Sequence, residues 1–240
     1  MRLIAKEGLP LILGTLGLTL VFAILGFFFR HMAWWIMTAI FALLTLFNLY
    51  FFRDPERQPP DDPHAIVSPA DGTIVEIKET EEPEYFHGKV RQISIFLSVF
   101  NVHVNRIPIS GKVDYVVYHK GKFLAAFKEK ASLDNEQTAI GISDPYGRRV
   151  LFKQIAGLIA RRIVCNVSEG QEVTVGQRMG LIRYGSRVDV FFDLSARVLV
   201  KKGQKVVGGE TVLARFSDEP SDEATAETVQ EYPVVETVEE

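Results

Sequence analysis

The sequence predicts a mainly β (α+β) protein in which an N-terminal hydrophobic helical hairpin precedes a pseudo-symmetric β-sandwich or flattened barrel. Three observations predict it. Two long uncharged segments occupy the first fifty or so residues, short β-branched and aromatic runs between turn signals fill the middle, and a turn-rich motif recurs 33 residues apart in the last third. With 240 residues the chain has room for one compact domain and its appendages.

Residues 8–29 contain 22 positions without a charge and residues 32–52 another 21, with only Arg30 and His31 between them. Each segment is long enough to cross roughly 30 Å of hydrocarbon at about 1.5 Å per residue. A secretory signal peptide would show one shorter apolar core and a small-residue cleavage site, and that pattern is not present. Arg2, Lys6, Arg53 and Arg57 lie outside the pair and Arg30 inside it, so the positive-inside rule puts both ends on the cytoplasmic face of the cell (inner) membrane. A hairpin that enters without fully crossing is the alternative. Trp34 and Trp35, beside the turn, suit either an interface or the packing between helices.

Residues 1–53 therefore read as a membrane-associated unit and residues 54–64, rich in proline and charge, as a linker. Strand-like runs follow at 65–68, 73–77, 91–97, 112–118 and 149–153, and residues 156–164 read as a short helix or a buried strand. The repeat comes next: Val167-Ser-Glu-Gly-Gln-Glu-Val173 answers Val200-Lys-Lys-Gly-Gln-Lys-Val206, and Gly176-Gln177 aligns with Gly209-Glu210. Paired β-turn-β units of this kind resemble the hairpins of lipoyl and biotinyl carrier domains. The body, residues 65–216, gives way to an acidic tail at 217–240 that holds nine acids and no Lys or Arg, and is expected to be disordered and solubilising. The net charge of −3 thus hides a chain that, before this tail, carries 27 basic against 21 acidic residues, a sign suited to anionic lipid. Lys120, Lys122, Lys128 and Lys130 fit such attraction or an ordinary solvated face. Cys165 is the one cysteine, which excludes an intrachain disulfide and a four-cysteine zinc site.

Between the repeats lies Leu181-Ile-Arg-Tyr-Gly-Ser-Arg-Val-Asp-Val190. A Gly-Ser pair is most often a turn. Glycine at 185 also lets the backbone take strained angles that bring the Ser186 hydroxyl to the preceding carbonyl, which permits an N→O acyl shift. Removal of the Ser186 α-proton would then eliminate the ester, split the chain, and leave dehydroalanine, which hydrolyses to a pyruvoyl group.

Such chemistry needs proton carriers. Asp71, in Ser68-Pro-Ala-Asp-Gly72, is either an Asx-turn residue or a carboxylate that orients an imidazole or moves a proton itself. His103, Asn105 and Arg106 interrupt an apolar run, and period-two alternation puts His103 and Asn105 on one face and Val102 and Val104 on the other. A histidine there is otherwise a hydrogen-bonded core residue. His31, His64, His87 and His119 lie in turn or polar settings, too scattered to spell a metal site, and no phosphate loop, GxSxG elbow or dinucleotide fingerprint occurs. Neither a metal nor a nucleic-acid partner is expected.

Six motifs in order resemble the phosphatidylserine decarboxylase proenzymes of the short bacterial and archaeal type: Phe51-Phe-Arg-Asp-Pro-Glu-Arg57, Ser68-Pro-Ala-Asp-Gly72, Asn101-Val-His-Val-Asn-Arg-Ile-Pro108, Gly121-Lys-Phe-Leu124, Asn135-Glu136 and Gly180-Leu-Ile-Arg-Tyr-Gly-Ser-Arg-Val-Asp189. The resemblance implies cleavage between Gly185 and Ser186 into a β chain (1–185) and an α chain (186–240) that begins with pyruvoyl, the covalent cofactor. It implies a Schiff base with the amine of phosphatidylserine, loss of CO2 and release of phosphatidylethanolamine. By the same resemblance His103 is the proton donor in decarboxylation and Asp71 serves self-cleavage. Longer bacterial members carry a second histidine where this chain has Arg106, a group that stays protonated. Maturation then falls to Asp71 acting more directly or to His103 in both steps, with Arg106 and Asn105 free to bind substrate carboxylate or phosphate. The implied partners are a phospholipid membrane, phosphatidylserine, and the two cleavage chains held together as a heterodimer, with further oligomerisation left open.

Two other functions compete. A membrane-anchored, lipoyl-like adaptor would carry a modifiable lysine at an exposed hairpin tip, whereas the stretch joining the repeats here carries Gly185-Ser186. A pyruvoyl decarboxylase for a soluble amino acid would have no use for a membrane segment.

Overall fold

The computed structural model describes residues 3–121, 135–157, 163–183 and 186–217. Helices α1 (Leu9–Phe29) and α2 (Met32–Phe51) form an antiparallel hairpin. The break between them is local. Arg30 takes a left-handed conformation (φ 51°) and returns its N–H to the Gly26 carbonyl at 3.0 Å, while His31 Nδ1 caps α2 by accepting from the Ala33 N–H at 3.2 Å. At the seam a Cβ on Gly26 would sit 3.1 Å from the Trp35 ring, so glycine there lets the helices close. Phe22 stacks between Trp34 and Phe41 at 6.1 and 5.3 Å, and the Thr19 and Thr45 hydroxyls meet at 3.5 Å. The outward surface is apolar and exposed, most of all at the tip, and both helices are long and apolar enough to cross a membrane.

The open end of the hairpin is stitched together and pressed on the domain. Ile4 bridges Arg53, the Ala5 N–H reaches the Phe52 carbonyl at 2.8 Å, and the Asp54 N–H reaches the Leu3 carbonyl at 2.9 Å. Phe51 and Phe52 are buried with Val102, Val104 and Leu181.

Fourteen strands follow among the described residues: β1 (Ala65–Val67), β2 (Gly72–Glu82), β3 (Gly88–Leu97), β4 (Val104–Arg106), β5 (Gly111–His119), β6 (Gln137–Ser143), β7 (Arg149–Ile155), β8 (Ile163–Cys165), β9 (Glu172–Val173), β10 (Arg178–Ile182), β11 (Ser186–Phe192), β12 (Arg197–Val198), β13 (Lys205–Val206) and β14 (Val212–Arg215). The main sheet runs β13-β2-β3-β11-β7-β6-β5-β9, every neighbouring pair antiparallel, and two three-stranded sheets, β1-β14-β12 and β4-β10-β8, accompany it. One core joins them: Ile93, Ile95, Phe152 and Val190 of the main sheet cluster with Ile66, Met179, Ile182 and Leu213 of the small ones. The five expected strands appear as β1, β2, β3, β5 and β7. The ambiguous stretch 156–164 ends in β8, and its centre lies outside the described residues.

The pseudo-symmetry extends through the whole domain. A twofold relation that exchanges β13 with β9, β2 with β5, β3 with β6 and β11 with β7 reproduces the main-sheet order, and it also exchanges the small sheets. Gly170 and Gly203 share a positive φ (84° and 85°), which the turn requires. Their N–H groups bond the Val113 and Ile74 carbonyls at 2.7 and 2.8 Å. Those acceptors belong to a second repeat, 39 residues apart, that sequence reading did not identify: Ser68-Pro-Ala-Asp-Gly-Thr-Ile74 and Ile107-Pro-Ile-Ser-Gly-Lys-Val113. Each copy is followed by a register shift in its hairpin, between Ile74 and Glu76 and between Val113 and Tyr115.

Candidate active site

One rim of the main sheet gathers the candidate residues. Ser186 opens β11 opposite Leu97, the last residue of β3, and Arg187 pairs with Phe96, which pairs in turn with Thr73 of β2. Asp71 immediately precedes β2, so it and Ser186 emerge at the same rim two strands apart, about 10 Å across the sheet. The chain leaving β3 carries His103 and Asn105. Ser186 is fully buried and, among the described residues, its Oγ has no hydrogen-bond partner. Gly185 lies outside the described residues, as do Lys122, Lys128, Lys130 and residues 218–240.

Strand alternation puts Ser186 on the core face with Val188 and Val190. Gln154 of β7 faces Val188, which makes it a diagonal neighbour of Ser186. Gln154 Nε2 donates to Asn105 Oδ1 at 2.8 Å, while Gln154 Oε1 and Asn105 Nδ2 are buried without partners among the described residues. Whichever way the two amides are turned, one bond between them leaves one NH2 and one C=O unmatched. Buried polar groups of this kind are costly, and three of them cluster beside the point of expected chemistry.

His103 is buried with its ring 4.1 Å from that of Phe51, centroid to centroid. Its Nδ1 lies 2.9 Å from the Asn101 carbonyl, which only accepts, so the proton of the neutral ring belongs on Nδ1 and the lone pair on Nε2. Burial, aided by the Arg53 charge, pushes the imidazole pKa down to about 4 against the lift from Asn101, and the ring is neutral at pH 7.

Asp71 accepts from Arg57 Nη2 at 2.9 and 3.2 Å and from the Gly208 N–H at 2.7 Å. Burial raises its carboxyl more than Gly208 and Arg57 lower it. Arg106 sits among the described residues with bonds to the Gly176 carbonyl (2.9 Å), the Pro55 carbonyl (2.8 Å) and Asp54 Oδ1 (3.3 Å). Asp54 also takes Arg178 Nε at 2.6 Å. Segment 54–64, read from sequence as a linker, thus supplies the residues that hold Asp71 and Arg106.

A second buried cluster occupies the opposite face of β11. Arg187 Nε donates to Asp189 Oδ1 at 2.6 Å and its Nη2 to Ser94 Oγ at 2.7 Å and Glu76 Oε2 at 3.2 Å, while Gln92 Nε2 reaches Asp189 Oδ2 and Ser94 Oγ, both at 3.0 Å. The cluster braces the strand that begins with Ser186. Its signal in the sequence is the alternation of Arg187 and Asp189 with Val188 and Val190, charges at every second position of an apolar strand. The part played by Gln154 had no such signal.

The phosphatidylserine decarboxylase family model matches residues 44–214. A Geobacter sp. (strain M21) protein named phosphatidylserine decarboxylase proenzyme is 47% identical over 210 residues, 88% of this chain and 95% of its own length. Proteins of the same name from Oleidesulfovibrio alaskensis and Magnetococcus marinus are 47% identical over 220 residues and 42% over 219 residues, each covering 91% of this chain and 97% and 98% of their own. The chain belongs to the phosphatidylserine decarboxylase family.

Proposed function

We propose that the chain cleaves itself between Gly185 and Ser186 and then converts phosphatidylserine to phosphatidylethanolamine and CO2 through a pyruvoyl group derived from Ser186. Family membership supplies the reaction class, a carboxy-lyase. The observation that carries the self-cleavage is the buried Ser186 Oγ, without a hydrogen-bond partner among the described residues and beside two other such polar atoms, a setting that suits a reacting group.

His103 takes both proton-moving roles. Neutral at pH 7 with its lone pair on Nε2, it is suited to accept the Ser186 hydroxyl proton during maturation. Asp71 supports that step as a carboxylate held by Arg57 and Gly208. Asn105 Nδ2 donates to the carbonyl oxygen that gains negative charge when the hydroxyl adds, and Gln154 holds Asn105 in place. The pyruvoyl supplies a ketone that condenses with the substrate amine and takes up the electron pair freed with CO2. His103 Nε2 holds the proton given up by the substrate ammonium and returns it to carbon after CO2 leaves. Asn105 then faces the substrate carboxylate. Substrate contact by Arg106 would cost it one of its bonds to Asp54, Pro55 or Gly176, so it acts chiefly by fixing segment 54–55 beneath the site.

The helical hairpin keeps this site at the bilayer in which a diacyl substrate resides, with the domain on the cytoplasmic face, and the two cleavage chains stay together through the β11 pairings with β3 and β7. The test is release of labelled CO2 from carboxyl-labelled phosphatidylserine in mixed micelles, with phosphatidylethanolamine formed in equal amount. Ser186→Ala abolishes both. Release of CO2 from free serine instead would favour a soluble-substrate decarboxylase, and no release from the wild type would favour an adaptor.

A further inference from the structure

Phe100 is 65% exposed at the tip of the turn that leads from β3 to His103. A lone exposed aromatic is ordinary. What sets this one apart is where it is tied. Its carbonyl accepts from Tyr50 Oη at 3.1 Å and from Arg53 Nη2 at 2.8 Å, both in the final turn of α2 or just past it, and the Arg53 guanidinium lies 4.0 Å over the Tyr50 ring. Tyrosine and arginine at the end of an apolar span mark the boundary between hydrocarbon and water. Hydrogen-bond contact with both puts the Phe100 backbone at that same depth. The turn is also rigid: Asn101 Oδ1 accepts from the Ser98 N–H at 2.9 Å and the Ser98 hydroxyl at 2.8 Å, and the Asn101 N–H returns to the Ser98 carbonyl at 2.9 Å. Leu46, Leu49 and Tyr50, all exposed, extend the apolar surface of α2 to this point, and Lys6 and Arg53 add positive charge at the same end of the hairpin.

We propose that the turn 98–101 is a second membrane contact, in which Phe100 seats in the interface of an anionic phospholipid bilayer beside the end of α2 and thereby sets His103 at headgroup depth. The inference rests on the reading that α1 and α2 are embedded. The link to the site is covalent and short: the Asn101 carbonyl, one residue past Phe100, receives the His103 Nδ1–H. The seat holds the proton carrier where the serine headgroup lies, so the lipid need not leave the bilayer to react.

The test is depth measurement in the full chain. With Cys165→Ser as background, single cysteines from Phe100→Cys, Phe29→Cys and Tyr146→Cys receive an environment-sensitive fluorophore. Each protein is reconstituted in phosphatidylcholine–phosphatidylglycerol vesicles that contain acyl-chain spin-labelled lipid. Position 29 is the hairpin tip, and Tyr146, 78% exposed, is in the β6–β7 turn at the opposite rim of the sheet from the site. Exposed positions such as these tolerate the change with little effect on stability. The proposal expects blue-shifted emission at 100 and roughly five-fold stronger quenching than at 146, as for a group a few Å into the interface. Quenching at 29 but water-like emission at 100 overturns the seat while leaving the embedded hairpin intact. Water-like emission at both overturns the embedding, and the seat with it.

Discussion

Asp71 and Ser110 do the same structural work at two pseudo-equivalent turns. Asp71 Oδ1 accepts the Gly208 N–H at 2.7 Å, and Ser110 Oγ accepts the Val175 N–H at 2.9 Å, where Val175 and Gly208 are themselves 33 residues apart in the repeat. The fold therefore needs only a short side-chain acceptor at this position. What Asp71 adds is a half-buried charge facing Arg57 on the rim that carries Ser186.

Asp71→Ser transplants the residue that the other half of the domain already uses. It keeps the turn cap, so the melting temperature should change by the equivalent of about 1 kcal/mol or less. Arg57 retains Glu210 at 3.7 Å. Self-cleavage should slow roughly a hundred-fold, or about 2.7 kcal/mol of barrier, read as the precursor fraction on a denaturing gel over time. Cleavage at the wild-type rate would reduce Asp71 to a turn residue.

Asn105→Asp preserves the acceptor for Gln154 Nε2 and removes the unmatched amide NH2. Loss of one oxyanion donor should slow cleavage about 10²- to 10³-fold. Gln154→Ala should slow it as well by releasing Asn105, while Gln154→Ala combined with Asn105→Asp should be little slower than Asn105→Asp alone. Additive losses in that cycle would show that the two amides act independently.

Arg187→Met leaves the buried Asp189 without its cation while the half-buried Glu76 keeps Lys78 at 3.1 Å, a loss of about 3–5 kcal/mol. The melting temperature falls and the uncut precursor accumulates, since β11 no longer holds Ser186 rigidly. A partner change at Asp189→Leu should recover most of the stability, because an apolar pair of similar volume avoids the unpaired charge. Failure of the double variant to recover would mean that the cluster matters for more than charge balance.

The depressed His103 pKa predicts a pH effect of definite sign. Above pH 6.5 the ring is neutral folded or unfolded and contributes no pH dependence. Between about 6.5 and about 4 the unfolded chain binds a proton that the folded chain refuses, so stability falls with pH across that window, by roughly 3 kcal/mol in full. Melting curves of wild type and His103→Gln between pH 7 and 4 should diverge in that direction, with the wild type losing more. Parallel curves would mean that the folded ring takes up its proton as readily as the unfolded one.

Much of this architecture is legible in the residues. The hairpin shows itself because no charge interrupts either segment and because Arg30 and His31 supply both the stop and the cap. The 33-residue repeat is visible because Gly170 and Gly203 must take positive φ, which keeps the same residue type at both turns. The 39-residue repeat escapes notice because it conserves geometry with few identical residues: Asp71 and Ser110 share an acceptor, not a side chain. Asn105 is picked out as a polar residue in an apolar strand, but Gln154 emerges only once β7 is paired with β11, a contact between residues more than thirty positions apart. The role of Arg57 is hidden for a different reason. A proline-rich charged stretch looks like solvated chain until its partners, Asp71 and Glu210, are brought to it by folding.

The central claim is that Ser186 becomes a pyruvoyl group, and intact-mass spectrometry of the denatured protein tests it without reference to any substrate. Two polypeptides that meet at Gly185 and Ser186 are expected, the smaller lighter by one ammonia than a chain beginning with serine and lacking a free α-amine. A single uncut chain, or a smaller fragment with an intact N-terminal serine, would contradict it.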